Sequence, residues 1–296
     1  MLRILRYLVG LGLVAAAALW FVTLPKPLSE ADVAGLTGDA VKGEAVFWAA
    51  GCASCHMAED AKDADQLVLK GGQRFGSDFG TFIAPNISQD PEHGIGDWSL
   101  LDLANALKRG VGRKGEHLYP ALPYAAYAKM ELQDVADLYA FLKTLPADPT
   151  PSAAHELGFP FSLRQGIGVW KLLFLSEDWV IRGDLSPSAT RGRYIAEALA
   201  HCGECHTPRN LIGGLKTGAW LSGAPIPGGK GKTPNITPAK LDWSPVDIVA
   251  YLTTGFTPDF DVVGGHMAHV VENLARLPDS DRQAVADYLA LVPAVE

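Results

Sequence analysis

The sequence predicts an all-α protein, with two tandem helical domains behind one N-terminal transmembrane helix. Three observations carry that expectation. A long apolar run follows two arginines at the N-terminus, one ordered set of motifs occurs twice, and apolar residues around those motifs recur at helical spacing. At 296 residues the chain is too long for one ordinary domain and suits two of about 100–150 residues each. The boundaries read as a membrane anchor over 1–27, a first domain over 28–148, an interdomain linker over 149–188 and a second domain over 189–296.

The anchor comes first. Tyr7 to Leu24 is an uncharged run of 18 residues, which as a helix spans about 27 Å, close to the hydrocarbon thickness of a bilayer. Arg3 and Arg6 precede it, which places the N-terminus in the cytoplasm and the remainder outside. Trp20 and Phe21 stand where an aromatic belt belongs, and Pro25 and Pro27 end the helix. The competing reading is a cleaved secretory signal, with Ala15 to Ala18 as the small-residue site. Cleavage there would leave Leu19-Trp20-Phe21-Val22 as an exposed apolar end, which favours retention. Either way the chain is exported. The expected location is the bacterial inner membrane, single-pass, with both domains in the periplasm.

The repeat follows. Gly43, Phe47, Gly51-Cys52-Ala53-Ser54-Cys55-His56, Pro85-Asn86-Ile87-Ser88, Asp97-Trp98-Ser99, Met130 and Tyr139-Leu142 appear once. They recur as Gly192, Ile195, His201-Cys202-Gly203-Glu204-Cys205-His206, Pro234-Asn235-Ile236-Thr237, Asp242-Trp243-Ser244, Met267 and Tyr288-Leu289. From His56 to Asn86 is 30 positions and from His206 to Asn235 is 29, so the domain is duplicated. Each copy opens with a short helix that runs into its cysteine pair. Ser99 with Asp102, and Ser244 with Asp247, read as N-cap and N3 of a middle helix, with Pro245 at N1. Val135, Leu138 and Leu142, and Val285, Tyr288 and Leu289, mark a last helix. The Gly-rich and polar segments 57–85 and 207–234 read as loops. The segment between the domains holds Phe159-Pro160-Phe161 and Gly168 to Leu175; it reads as a linker packed between them, with docking on a membrane or partner as the alternative.

All four cysteines fall in two Cys-x-x-Cys pairs, Cys52/Cys55 and Cys202/Cys205. A four-cysteine zinc site, two dithiol redox pairs and two haem attachment sites are the chemistries such pairs allow. His56 and His206 follow directly, and two such pentads using every cysteine present select covalent haem c, one per domain. The thiols add across the haem vinyl groups and the adjacent histidine becomes the fifth iron ligand. Two buried haems also supply core that domains of this size otherwise lack. A sixth ligand has to come from elsewhere. Among Met1, Met57, Met130 and Met267, Met1 starts the chain and Met57 adjoins His56 on the wrong side, which leaves Met130 and Met267, one per domain. A soft thioether favours ferrous iron and raises the potential. His117, His266 and His269 are the rivals for that position. The carbonyls of Pro85 and Pro234 are expected to accept the histidine N–H, and Trp98 and Trp243 to pack against the haem edge.

With CASCH, APNIS, GDWS, YPALPYAAYAKM, CGECHTPRN, TPNIT and GGHMAHVV in view, the chain resembles the class I c-type cytochromes. The likeness is to the two-haem arrangement in cytochrome c subunits of bacterial periplasmic alcohol, gluconate and aldehyde dehydrogenases. The resemblance implies two tandem class I cytochrome c domains. It also implies that Met130, after Pro-Tyr-x-x-Tyr, and Met267, after Gly-Gly, are axial ligands. The site residues are then Cys52, Cys55, His56 and Met130 for one haem, and Cys202, Cys205, His206 and Met267 for the other.

The chain carries 25 basic and 33 acidic residues, a formal charge of −8. That balance argues against nucleic acid and anionic headgroups as partners and suits steering toward a basic protein patch. The expected function is electron transfer without substrate chemistry. The donor is a periplasmic dehydrogenase or respiratory complex, and the acceptor a cytochrome or oxidase. The rival is a dihaem enzyme of the peroxidase or thiosulfate dehydrogenase type with one open iron. The lack of a spare cysteine and the presence of a methionine in each domain weigh against it.

Overall fold

A computed structural model describes residues 2–296, leaving Met1 outside. The chain starts with α1 (Leu2–Val22), 21 residues long, which reaches a mean hydropathy of 1.9 and has no buried residue. It is the one helix among the described residues long and apolar enough to cross a membrane. The first module follows as α2 (Glu30–Val33), α3 (Ala40–Ala49), α4 (Cys52–His56), strands β1 (Arg74–Ser77) and β2 (Gly80–Ile83), α5 (Leu100–Ala104), α6 (Tyr124–Tyr127) and α7 (Leu132–Leu142). Strand β3 (Glu156–Leu157) and α8 (Gln165–Phe174) lie between the modules. The second module repeats the order as α9 (Pro187–Tyr194), α10 (Gly203–His206), strands β4 (Ala224–Pro225) and β5 (Lys232–Thr233), α11 (Pro245–Thr254), α12 (His266–Ala275) and α13 (Asp279–Leu289). Helices α5 and α9 each run on into a π-helical stretch, Asn105–Arg109 and Ile195–Leu199.

Local chemistry sets the helix ends. Asp39 caps α3 by accepting from the Val41 N–H at 2.9 Å. Ser99/Asp102 and Ser244/Asp247 form the two expected capping boxes, and Pro245 occupies the first turn of α11. Gly110 and Gly255 close the middle helix of each module with φ of 57° and 77°, a conformation in which a side chain is strained.

The core of each module is a crossing of its first and last helices. A Cβ on Gly43 would lie 1.9 Å from the Asp137 carbonyl oxygen, and one on Gly192 would lie 1.8 Å from that of Ala284. Only glycine lets these backbones touch. Phe47, Val135 and Leu138 fill the first crossing, and Ile195, Val285 and Tyr288 the second, all at most 3% exposed. The matched contacts identify the same two-helix frame built twice.

The segments expected as loops contain short hairpins. β1 pairs antiparallel with β2 from Arg74↔Ile83 to Ser77↔Gly80, and β3 from the linker adds to β2 at Gly80↔Leu157 and Thr81↔Glu156. The added strand is what the sequence hides, because its partner lies more than seventy positions away. An Arg74–Glu156 ion pair closes the edge. In the second module only two residue pairs, Ala224↔Thr233 and Pro225↔Lys232, form the counterpart.

The linker packs on both modules. The Lys171 ammonium donates to the Arg109 and Gly110 carbonyls at 2.8 and 2.6 Å, while the Trp170 indole donates to the Ile212 carbonyl at 3.0 Å. The end of α1 is fastened to the first module. His117 Nε2 donates to the Thr23 carbonyl at 2.8 Å, and the Leu28 N–H donates to Asn105 Oδ1 at 2.6 Å.

Candidate cofactor sites

Each cysteine pair lies on one turn of helix, so both thiols and the following histidine emerge from a single short segment. The four thiols are unbonded, and Cys55 and Cys205 are exposed. His56 Nδ1 and His206 Nδ1 each lie 2.8 Å from a proline carbonyl, Pro85 and Pro234 respectively. A carbonyl only accepts, so Nδ1 carries the proton in both rings and Nε2 keeps its lone pair for a metal. Burial holds both imidazoles below their usual range, against the pull of the carbonyls, and the neutral form is the one that ligates.

Two glycines that the sequence reading passed over make this geometry possible. The Gly71 N–H donates to the His56 carbonyl and the Gly223 N–H to that of His206, both at 2.7 Å. Their φ values are 73° and 84°. A Cβ on Gly71 would sit 2.5 Å from the Pro85 carbonyl oxygen, and one on Gly223 2.8 Å from the Asn235 nitrogen. Each glycine thus binds the histidine backbone while lying against the segment that holds its ring. The available signal was a glycine at a comparable distance after each histidine.

The repeated Pro-Asn-Ile-Ser/Thr motif is a latch. Asn86 Nδ2 donates to the carbonyls of Asp148 and Thr150, both at 2.8 Å, and its Oδ1 accepts from the Ser88 N–H. Asn235 Nδ2 donates to the Val295 carbonyl at 2.7 Å, and its Oδ1 accepts from the Thr237 N–H. In both modules the chain after the last helix is tied to the loop that orients the histidine. In the second module a hydrogen-bonded chain runs from the Trp220 indole to the Tyr288 hydroxyl, and from there to the buried Glu197, each step 2.8 Å. The Trp220 ring lies so close over Gly203 that a Cβ there would come within 2.0 Å of it.

The two attachment helices approach each other through elements of the opposite module. Asn273 of α12 donates to Ser54 Oγ between the first cysteines at 2.9 Å. The Arg276 guanidinium lies 3.9 Å from the centre of the Trp48 ring. Reciprocally, the Tyr127 ring of α6 meets the His201 ring just before the second pair, 5.7 Å between centres, and its hydroxyl donates to the Ala50 carbonyl at 2.8 Å. Desolvation within the fold, and then the neighbouring Cys205, push the Cys55 thiol up to about 11, although the side chain is solvent-accessible. Burial, and then Cys55, push Cys52 up to about 12.

Among the described residues no group of three or more His, Cys, Asp or Glu side chains is arranged to hold a metal ion directly. The donor set fits covalent haem c: two thiols and a neutral, oriented imidazole in each module. In the second module Ile236, Leu241, Trp243, Ile248 and Leu289 line an apolar cleft of about 180 Å³.

The other expected residues are placed as follows. Met267 is half-buried in the first turn of α12, and Met130 is buried, 2% exposed, before α7. His117 is taken up at the end of α1, His269 faces Glu272 at 3.3 Å, and His266 lies against the Phe75 ring. Trp98 packs on the core of its module and its carbonyl accepts from the Tyr139 hydroxyl at 2.9 Å.

Comparison with known proteins adds three findings. Residues 40–146 match the cytochrome c family model. A diheme cytochrome c-type protein of Cereibacter sphaeroides is 54% identical over 290 residues, covering 97% of this chain and 98% of the relative. The fructose dehydrogenase cytochrome subunit of Gluconobacter japonicus is 38% identical over 261 residues, and the cytochrome c subunit of the quinone-dependent alcohol dehydrogenase of Gluconobacter oxydans 32% over 266. The chain spans about half the length of those two subunits, 52% and 55%.

Proposed function

The chain belongs to the cytochrome c family, and we propose that it is a membrane-anchored dihaem electron carrier working between a periplasmic dehydrogenase or respiratory complex and a cytochrome or oxidase. Cys52, Cys55 and His56 hold one haem c, and Cys202, Cys205 and His206 the other, with Met267 as a further iron ligand. The observation that carries this reading is the matched pair of 2.8 Å contacts from the histidine Nδ1 atoms to the Pro85 and Pro234 carbonyls. Such a contact orients an axial imidazole and raises its basicity.

Haem c supplies one-electron redox chemistry. The residues of the chain determine how the electron is used. The cysteines make attachment permanent, and the facing of α4 and α12 keeps the two sites in one packed unit rather than on a flexible tether. The acidic surface, −8 overall, draws in a partner with a basic patch. The dehydrogenase-linked relatives are named as the cytochrome subunits of their dehydrogenases, which supports a carrier role here.

Helix α1 spans the membrane with Arg3 and Arg6 on the cytoplasmic side, and both modules lie in the periplasm. The His117–Thr23 contact keeps the first module at the membrane exit. Deleting the chain from its host tests the role. Membranes are predicted to lose oxygen uptake driven by a periplasmic sugar or alcohol dehydrogenase and to regain it on complementation. Undiminished uptake with every such substrate would sink the proposal.

A further inference from the structure

We propose that the two irons are ligated unequally: Met267 completes the second, Leu122 stands at the matching place beside the first, and Met130 is a core residue. The proposal rests on the haem attachment proposed above. It follows from matching the two modules, residue against residue, at their own caps, turns and backbone hydrogen bonds.

The landmarks before the methionine run in one register. The N-cap serines are Ser99 and Ser244, and the left-handed glycines that close the middle helix are Gly110 and Gly255. Just beyond, isolated bridges pair Val111 with His117 and Phe256 with Val262. The next N–H returns to the glycine carbonyl, Leu118 to Gly110 at 2.7 Å and Val263 to Gly255 at 2.8 Å. Every one of these pairs is 145 positions apart. Four residues further on stand Leu122 and Met267, both half-buried.

The landmarks after it run in a register of 147. α7 and α13 have 11 residues each, Leu132–Leu142 and Asp279–Leu289, and meet Gly43 and Gly192 at Asp137 and Ala284. The Met130 N–H donates to the Tyr127 carbonyl at 3.0 Å, and the Leu277 N–H to the Leu274 carbonyl at 3.1 Å. Met130 therefore matches Leu277, which is 4% exposed and is also a core residue. Bringing Met130 onto Met267 would need a shift of 137, which neither flank permits.

Surroundings agree with the register. Met130 is enclosed by the hydrophobic core of its own module, and the buried Lys108 ammonium donates to its carbonyl and to that of Ala128. Leu122 has no lone pair to offer a metal. Of the polar side chains close to it in sequence, His117 is tied through Nε2 to Thr23 and Tyr124 packs its ring against Gly110 and Trp170, while His117 Nδ1 and the Tyr124 hydroxyl have no partner of their own. A haem held by Cys52, Cys55 and His56 would meet the Leu122 hydrocarbon where the second meets the Met267 thioether, and its iron would be open to a small exogenous ligand. The pair is asymmetric, one closed haem and one that binds carbon monoxide when reduced.

The test uses the full-length dihaem protein in detergent and reads two signals: the far-red absorption of a thioether bound to ferric iron, and carbon monoxide uptake by the reduced form. The wild type is expected to show one thioether signal per two haems and to bind one carbon monoxide. Leu122→Met should double the thioether signal and abolish carbon monoxide binding, Met267→Leu should remove the thioether signal, and Met130→Leu should change neither. Two thioether signals in the wild type, no carbon monoxide uptake, or a halved thioether signal in Met130→Leu would overturn the proposal. A haem count on the same samples separates the two levels. Fewer than two haems per chain breaks the attachment reading itself, whereas two haems with two thioether signals breaks only the asymmetry.

Discussion

Gly71 and Gly223 show how little space surrounds the histidines. Each binds a histidine carbonyl with its N–H and lies against the segment whose proline carbonyl receives the ring. Alanine at Gly71 meets two obstacles: a left-handed backbone, costing about 1–2 kcal/mol for a residue with a side chain, and a 2.5 Å clash with the Pro85 carbonyl oxygen. Gly71→Ala is predicted to destabilise the first module by more than about 2 kcal/mol. Thermal melting followed at the first haem's absorption checks this, and a wild-type melt would show that the carbonyl moves freely. The pentads and the Pro-Asn-Ile motif were legible in the sequence because their chemistry is local or repeats. The sixth ligand is the part least legible there. The methionine count and the family resemblance both name Met130, whereas the proposed register of the two modules turns on hydrogen bonds and turns between elements, which a residue count does not contain. The glycines escaped notice because nothing in a single glycine states which backbone it must let approach.

At the scale of elements, the capping boxes and the last-helix periodicity could be read directly, since each is contained within one turn or one helix face. The hairpins and the packing of α12 on α4 could not, because both join residues far apart in the chain. Arg276 covers the Trp48 ring at 3.9 Å and donates to Gln66 Oε1 at 2.9 Å, so one side chain spans the boundary between modules. A cation over a tryptophan contributes about 0.5–2 kcal/mol, depending on desolvation. Arg276→Ala is expected to lower stability by about 1 kcal/mol, while Arg276→Lys, which keeps the charge and loses the flat guanidinium, recovers part of it. Denaturant titration of the two variants decides this; equal stability of all three proteins would remove Arg276 from the interface.

For the whole molecule, the junction between α1 and the first module is the structural link between the apolar N-terminal helix and the haem sites. His117 lies there, buried, with Nε2 on the Thr23 carbonyl and Nδ1 unpartnered, and Lys171 and Arg164 face it. Burial, and then Lys171, hold its pKa below the usual 6.5. With a depressed folded-state value, the unfolded chain takes up the proton first as pH falls. The contribution of the junction is therefore complete above about 6.5 and is lost as pH drops from there through the folded value. Stability measured against pH should fall on acidification below that point, and His117→Gln should flatten the fall. An unchanged acid limb in the variant would place the acid sensitivity elsewhere.

One haem at each Cys-x-x-Cys-His segment is tested most directly by the intact mass of the full-length chain, made in cells that mature periplasmic c-type cytochromes. The prediction is the chain mass plus two haems, falling to one haem when Cys52 and Cys55 are both changed to alanine, and likewise for Cys202 and Cys205. A bare chain, or loss of both haems from either double variant while the protein stays folded, would contradict it.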